Sequence, residues 1–468
     1  MSGPWRTGAF ARRPRPWFVR DLVRISAIAL AAGVGWALHL VGPAHVRAGN
    51  DEGVLIGNEA AMTGGAVTAV TSDGSAIWYD PAGIAAVTRG QLDLSGSATV
   101  LRIAETPRLL SSETTGRTAD GGYLEVIGIP SAVTLVRLLE PRLAFGFGIF
   151  TPQLTNHTDR VGLSDSVMGL TSRWQLVQQE NTQSTYAGLS LGYQLAPNFR
   201  IGGTLFGLYR QQTLSTHFFG GATDAAGNDV FAAGSSSLSS LQSVGVELAV
   251  GLQWEIVPGV TFGAALRTPD LQLGSLFRST SASITTTHGG ALDFEPSDMS
   301  GLVPNVGVIT PTRLRVGLAF RTQRAWLAVD ADVAHELTVP GLGIERRWIA
   351  NVHVGGRYWI DENVSVGAGL FTDVSPTRRI TQYGQTQIDF VGGSLGLEIH
   401  TPHELGPHEH AETLVFAQTF ALRYAAGVGQ IGGLRFSDAS PTMQTADVLI
   451  TPTTVHELSL HLGSALYF

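Results

Sequence analysis

From about residue 91 to the C-terminus, apolar and polar residues alternate with a period of two. Leu314, Val316, Leu318 and Phe320 share one face of such a segment, and Arg315, Gly317, Ala319 and Arg321 share the other. Leu327, Val329, Ala331 and Val333 oppose Trp326, Ala328, Asp330 and Asp332 in the same way. The row Val244, Val246, Leu248, Val250, Leu252 and Trp254 opposes Glu247, Gln253 and Glu255, and Val364, Val366, Ala368 and Leu370 oppose Ser365, Gly367 and Gly369. Side chains along a strand point to opposite sides in turn, so each segment reads as a strand with one apolar face. The pattern predicts fourteen strands, near 91–101, 122–136, 142–151, 182–195, 199–213, 239–256, 260–276, 310–322, 325–338, 347–360, 363–376, 386–399, 412–428 and 453–468. Tight connections at Pro197-Asn198, Pro258-Gly259, Gln323-Arg324 and Asp361-Glu362 alternate with long loops expected near 152–181, 214–238, 277–309 and 429–452.

The polar face decides the environment. A soluble barrel or sandwich would fill its interior with large apolar side chains, whereas here that face carries Arg, Asp, Glu, Gly and Ser. This suits a wet lumen inside a barrel whose apolar face meets lipid. Tyr193, Phe199, Trp254, Phe262, Trp326, Tyr358, Trp359 and Tyr424 fall near strand ends and read as interface girdles. In the last strand Phe468, Leu466, Leu462, Leu460 and Leu458 share a face opposite Tyr467, His461, Ser459 and Glu457, with Ser464 interrupting the row. Outer-membrane proteins resemble this ending, a terminal aromatic read by the barrel-assembly machinery. The fold class expected is an all-β membrane protein: a closed, antiparallel transmembrane β-barrel of fourteen strands.

Composition agrees. Charged residues are 15% of 468, low for a soluble domain, where about a quarter is usual. No internal run of twenty apolar residues suggests a helical bundle. The chain has no cysteine, so disulfides, thiolate nucleophiles and Cys-based zinc sites are excluded. A formal charge of −8 gives no reason to expect nucleic acid as a partner. All 30 basic residues are arginine, for which the sequence offers no functional account.

Residues 1–48 read as a signal peptide. Arg6, Arg12, Arg13, Arg15, Arg20 and Arg24 precede an apolar stretch from Ile25 to about Val41, followed by Val46-Arg47-Ala48. These are the three parts of a secretory address. Residues 49–90 do not alternate. Small residues and turn signals at Asp73-Gly74 and Asp80-Pro81 predict short helices, a segment able to fold inside the barrel of 91–468.

That segment carries Gly64-Gly65-Ala66, the stretch Asp73 to Ala76, Tyr79, and Asp80-Pro81-Ala82-Gly83. It resembles the N-terminal hatch of the FadL/TodX family of outer-membrane transporters for hydrophobic compounds. Phe145-Gly146-Phe147-Gly148 through Thr151-Pro152, Val260 through Pro269, and Val366 through Pro376 resemble later family segments. Asp80 departs from the family's Asn; an ionised Asp accepts hydrogen bonds but cannot donate, and a lumen arginine is its expected partner.

The resemblance implies passive uptake of long-chain fatty acids or similar hydrophobic molecules, with aromatic hydrocarbons as the rival cargo. Capture at loops would involve Phe218, Phe219 and Phe231, and Leu271, Leu273, Leu276, Phe277, Leu302 and Val303. The hatch, with Gly64, Gly65, Asp80, Pro81, Ala82 and Gly83, would shift. The cargo would leave sideways through a gap at strand 3, where Gly146, Gly148, Phe150 and Pro152 mark a bend. A ligand carboxylate would need a cation, for which Arg315, Arg321 and Arg357 are candidates. Expected partners are the hydrophobic ligand, outer-membrane lipid and lipopolysaccharide, and the assembly machinery through Phe468, in a monomer of the bacterial outer membrane.

Other motifs are refused. Gly188-Leu189-Ser190-Leu191-Gly192 lacks the strand-to-helix turn of a hydrolase elbow. Gly427-Val428-Gly429-Gln430-Ile431-Gly432 lacks the helix of a dinucleotide site. His456-Glu457 with His461 has the wrong spacing for a zinc protease, and His400, His403, His408 and His410 read as a polar turn. No enzyme, cofactor or metal is expected. A barrel lipase or a general porin are the readings from other classes.

Overall fold

The computed structural model describes residues 54–468 except 114, 168–169, 288–292, 304–309, 340–343, 382, 406–411 and 437–446. The signal-peptide expectation, with residues 49–53, lies outside the described residues. The strands are β1 (Gln91–Ser112), β2 (Thr118–Glu140), β3 (Leu143–Val167), β4 (Leu170–Ala196), β5 (Phe199–Thr223), β6 (Asp229–Val257), β7 (Val260–Arg267), β8 (Leu271–Thr287) and β9 (Asp293–Val303). They continue as β10 (Arg313–Arg321), β11 (Ala325–Ala334), β12 (Leu337–Val339), β13 (Ile344–Arg346), β14 (Ile349–Trp359), β15 (Val364–Asp373), β16 (Thr386–Leu405), β17 (Glu412–Phe436) and β18 (Asp447–Tyr467).

The sheet closes on itself. From β1 the ladder runs through β2, β3, β4, β5, β6, β7, β10, β11, β14, β15, β16, β17 and β18 and returns to β1. Closure gives every strand in that circuit a partner on both sides, the condition for crossing hydrocarbon with strands. The outer face is apolar: Leu318, Leu327, Val329, Leu370, Leu395 and Leu422 are all 40% or more exposed. Asp330, Asp332, Glu247, Gln253, His461 and Glu457 lie on the buried inner face. The chain is built to span a membrane as a barrel, lumen side polar.

The sheet differs from the expected fourteen strands, since β8 and β9 join it beside that circuit and bring it to sixteen strand segments among the described residues. β7 stops before Pro269, which has no backbone N–H for the ladder. The wall resumes as β8, still paired to β6 but with a register shift at Val244/Gly245, and β9 pairs with β8. A larger correction concerns the long loops. The described parts of the stretches near 152–181, 214–238 and 429–452 are paired strands that extend the wall, as in the β4–β5 register from Thr171↔Thr223 to Gln194↔Arg200. The outward face of those extensions is largely polar while apolar side chains such as Val161, Leu163, Trp174 and Phe218 turn inward, so the apolar-out, polar-in contrast of the lower wall is lost although pairing persists. The tight turns fall where expected, for example Ala196 to Phe199 and Val257 to Val260. Below, the end bearing these turns is called the lower end.

Trp326 leaves the girdle. It is 3% exposed and points inward in phase with Asp330, whereas Tyr193, Trp254, Tyr358 and Tyr424 are exposed on the outside. Phe468 is 47% exposed, and its N–H donates to Gly90 O (2.8 Å), tying the C-terminus to the start of β1.

Residues 54–90 fold into α1 (Asn58–Met62), α2 (Ala76–Tyr79) and a 3-10 turn over Pro81–Ala86. Ser394 Oγ donates to Met62 O (3.1 Å) and Thr204 Oγ1 donates to Ile77 O (3.1 Å). Thr68 N–H donates to Asp330 Oδ2 (2.7 Å), and Gly74 N–H donates to Asp93 Oδ2 (3.0 Å). His461 Nε2 pairs with Asn58 Oδ1 (3.1 Å). These partners sit on β16, β5, β11, β1 and β18, right around the circuit. One short segment can reach all of them only from inside the ring. Gly64 and Gly65 have φ of +66° and +83°, a region side chains disfavour. There the backbone turns under β14 and His353 Nδ1 meets Gly64 O at 2.8 Å.

Candidate functional site

The β2–β3 ladder is incomplete. It runs from Glu140↔Leu143 to Ala132↔Phe150 and stops, although β2 continues to Thr118 and β3 to Val167. β3 shifts register against β4 between Phe150 and Gln153, at Thr151-Pro152. Pro152 cannot donate, so the strand bends away there. Gly146 and Gly148 play another part than the bend expected of them. Both remain paired with β2, and a side chain at Gly146 would collide with Ile77 of α2. Phe150 is fully buried in the lumen. Two side-chain contacts bridge the open stretch: Tyr123 stacks on His157 (centroids 4.5 Å apart), and Asn156 N–H donates to Glu125 Oε1 (2.5 Å).

Beside the end of the ladder, Trp78 of α2 packs among Phe150, Tyr186 and Phe206, with ring centroids 5.4, 5.2 and 5.7 Å away. The Arg267 guanidinium lies 3.9 Å over the Trp78 ring and 4.9 Å over Phe206, while its Nε pairs with Glu247 (2.5 Å). A desolvated cation over an aromatic face contributes roughly 2 kcal/mol. Arg267 thus clamps the inner segment to the wall next to the gap. Sequence reasoning missed this group. The available signal was that Phe150, Tyr186 and Phe206 fall in phase with the polar lumen face.

Asp80 starts the 3-10 turn. It is fully buried, and its Oδ1 accepts the Ala82 N–H (3.0 Å). Its Oδ2 has no hydrogen-bond partner among the described residues. Burial holds this carboxyl well above the ordinary range, the Ala82 bond opposes that, and nearby Asp330 adds to it. No arginine pairs with Asp80 among the described residues, contrary to the expectation; the nearby cation, Arg315, is stacked over Tyr79 (4.7 Å). Pro81, Ala82 and Gly83 are buried in the same turn.

The upper lumen is closed by an apolar cluster. At Pro107-Arg108 β1 swerves, Arg108 taking a φ of +56°, and its end pairs in parallel with β17 at Leu110↔Leu434. Leu109, Leu110, Val161, Leu163, Trp174, Leu176, Phe218, Ile431, Leu434 and Phe436 meet there. Phe436 stacks on Trp174 (5.4 Å, 4° between planes) and on Phe218 (5.5 Å). Between this cluster and the inner segment lies a cavity of about 130 Å³. Tyr123 and Ile127 of β2 and Pro152 to Thr155 of β3 line it, so it sits behind the gap.

The expected capture residues do not converge. Phe218 and Phe219 are strand neighbours with opposite directions, Phe218 buried in the cluster and Phe219 53% exposed outside. Leu271, Leu273 and Leu276 are exposed on the outer wall of β8. The side chains of Phe231, Phe277, Leu302 and Val303 lie outside the described residues.

Nor do the proposed carboxylate partners face the cavity. Arg315 pairs with Asp332 (2.8 Å). Arg357 pairs with Glu398 and lies 3.8 Å from Glu59. Arg321 Nη2 donates to Val70 O (3.4 Å). Arg321 and Arg357 line a different space, an open vestibule of about 1110 Å³ at the lower end beneath the segment. His400 pairs with Glu398 there (2.6 Å), and no group of metal-ligating side chains occurs among the described residues; His408 and His410 lie outside them.

No family model and no curated protein sequence matches the chain. Solved structures do. A FadL homologue from Pseudomonas aeruginosa superposes with a TM-score of 0.56 at 13% identity, covering 88% of this chain and 98% of that one. The toluene transporter TodX from P. putida gives 0.55 at 14% identity, covering 88% and 98%. A monoaromatic hydrocarbon channel, CymD, gives 0.51 at 11%, covering 88% and 97%. At such identities the likeness is one of fold, and the fold is shared along nearly the whole length of each.

Proposed function

We propose that the chain is a passive transporter of small hydrophobic molecules in a bacterial outer membrane, with residues 49–90 as a hatch and the β2–β3 gap as the exit. The observation that carries this is the ladder ending at Ala132–Phe150 beside a lumen filled by the inner segment. An apolar cargo gains nothing from a water-filled lumen and gains free energy by entering lipid. A ladder gap at membrane depth needs protein or a cavity behind it, because unpaired strand groups are costly in lipid. The cavity lined by Tyr123 and Pro152 supplies that. A general porin accords poorly with a filled lumen. A lipase would need an assembled nucleophile, and Ser190 Oγ donates to Gly203 O (3.2 Å) and accepts from Thr204 Oγ1 (2.9 Å), with no histidine partner among the described residues.

Cargo size favours aromatic compounds over long-chain fatty acids. A cavity of about 130 Å³ is near the ~150 Å³ that admits a benzene ring. The proteins sharing the fold are named as a FadL homologue, a toluene transporter and a monoaromatic hydrocarbon channel, which fits this reading. Export by the signal peptide, cleavage after Ala48 and recognition of Phe468 by assembly machinery belong to the same proposal.

The test is uptake of labelled toluene and oleate in a deletion strain with and without the gene. Since the chain has no cysteine, a pair placed at Tyr123 and His157 is the sole disulfide able to form. Oxidation should stop uptake and reduction restore it. Equal uptake with and without the gene, for both compounds, would refute transport; undiminished uptake when oxidised would refute exit at the gap.

A further inference from the structure

The cavity behind the gap is apolar on one side and acidic on the other. Ile127, Leu154, Ile388, Phe390, Ile431 and Val455 supply its apolar lining. Asp159, Glu180, Asp373 and Glu457 bring carboxylates, against one arginine, Arg102. That arginine is already held on both sides, by Glu125 (2.7 Å) and by Glu457 (2.6 Å). Glu457 also takes Arg423 (3.2 Å). Asp159 is different. It is 5% exposed, and its Oδ1 has no hydrogen-bond partner among the described residues. Neither does Nδ1 of His157, two residues earlier on the same inward face of β3.

We infer that the cavity selects a ring-sized apolar molecule carrying a hydrogen-bond donor, a phenol or similar aromatic alcohol, and rejects a carboxylate. The inference rests on the transport reading and narrows its cargo. The hydroxyl donates to the Asp159 carboxylate, and the ring lies against Ile388, Phe390 and Val455. A buried carboxylate with an empty acceptor position loses free energy that a donor from the ligand restores. A ligand carboxylate would meet Asp159 and Glu180 with no uncommitted arginine in the lining, and like charges in a site of low polarity repel strongly. The principle is general: a site built to hydrogen-bond a hydroxyl discriminates sharply against the analogue that lacks it.

Three compounds of one shape separate the possibilities: p-cresol, p-xylene and p-toluate. Their initial uptake is measured in the deletion strain carrying the full chain, Asp159→Asn, Asp159→Leu, or nothing. Heat-modifiable gel mobility verifies that each barrel folds. The wild type should take up p-cresol about tenfold faster than p-xylene, and p-toluate no faster than the strain without the gene. Asp159→Asn, isosteric and still an acceptor, should keep part of the preference. Asp159→Leu should erase it, so that p-cresol enters no faster than p-xylene. If p-xylene and p-cresol enter at equal rates above background, transport stands and the inference falls. Faster entry of p-toluate than of p-cresol also overturns it. If none of the three exceeds background, the transport reading itself fails and takes the inference with it.

Discussion

Glu59 to Gln is the substitution that most directly tests how the inner segment is held. Glu59 lies in α1, 7% exposed, at the boundary between the segment and the lower vestibule. Burial pushes its carboxyl from the usual 4.5 up to about 8; Asp73 and Glu398 add to this, while Arg357 and Arg321 oppose it. Arg357 is 3.8 Å away and is shared with Glu398, so burial prevails over its attraction. A carboxyl with a raised folded-state value stabilises the closed segment fully below about 4.5, and that contribution is lost as pH rises through about 8. The full difference corresponds to at most about 5 kcal/mol at 1.36 kcal/mol per pH unit. Gln removes the ionisation and keeps the size. Amide hydrogen exchange of residues 58–65, corrected for the intrinsic pH dependence, should show the wild type losing protection between pH 5 and 9. The Gln variant should remain protected, so the two diverge by a few kcal/mol near pH 8 and converge near pH 4.5. Wild-type protection that is flat across this range, or the same loss in both proteins, would refute the argument.

Asp80→Asn should stabilise the protein by about 1–3 kcal/mol at neutral pH, because it removes a carboxyl whose ionised form burial disfavours. The gain should shrink toward acid pH, where Asp80 is neutral anyway; urea unfolding at pH 8 and pH 4 checks it. Arg267→Met removes the cation over Trp78 and leaves Glu247 buried without its partner. Exchange in Ala76–Tyr79 should accelerate by at least tenfold, consistent with about 2 kcal/mol from the lost cation–π contact. Phe436→Ala should cost about 3–5 kcal/mol as a core truncation and open the upper cluster, read as a rise in single-channel conductance in planar bilayers.

The places where sequence and structure part company share one physical cause. Wherever one wall face meets lipid and the other the lumen, the period of two is visible. β10 and β11 are legible residue by residue, with Leu318 out and Asp330 in. Above that level the outward face turns polar, and a stretch such as Ser235 to Ser240 carries little contrast although it remains paired to β5 and β8. Residues 152–181 were therefore expected as a loop, which hid Asp159 and His157. A signal was present nonetheless: His157, Asp159, Val161 and Leu163 fall on one face and Thr158, Arg160 and Gly162 on the other. The resemblance located the bend near Pro152, but periodicity alone could not reveal that pairing with β2 ends two residues earlier. That depends on which strand lies beside β3, a fact of tertiary structure. The lumen arginines show the same limit. Arg315, Arg321 and Arg357 are indistinguishable in sequence from Arg102, yet closure of the barrel places Asp332 or Glu398 beside two of them and turns the third beneath the segment. A cation on the polar face of a strand is thus more often committed to a neighbouring strand's carboxylate than offered to a ligand. In this cavity the arginine is committed, whereas Asp159 Oδ1 and His157 Nδ1 have no hydrogen-bond partner among the described residues, so the ligand the proposal selects supplies a hydrogen bond rather than a charge.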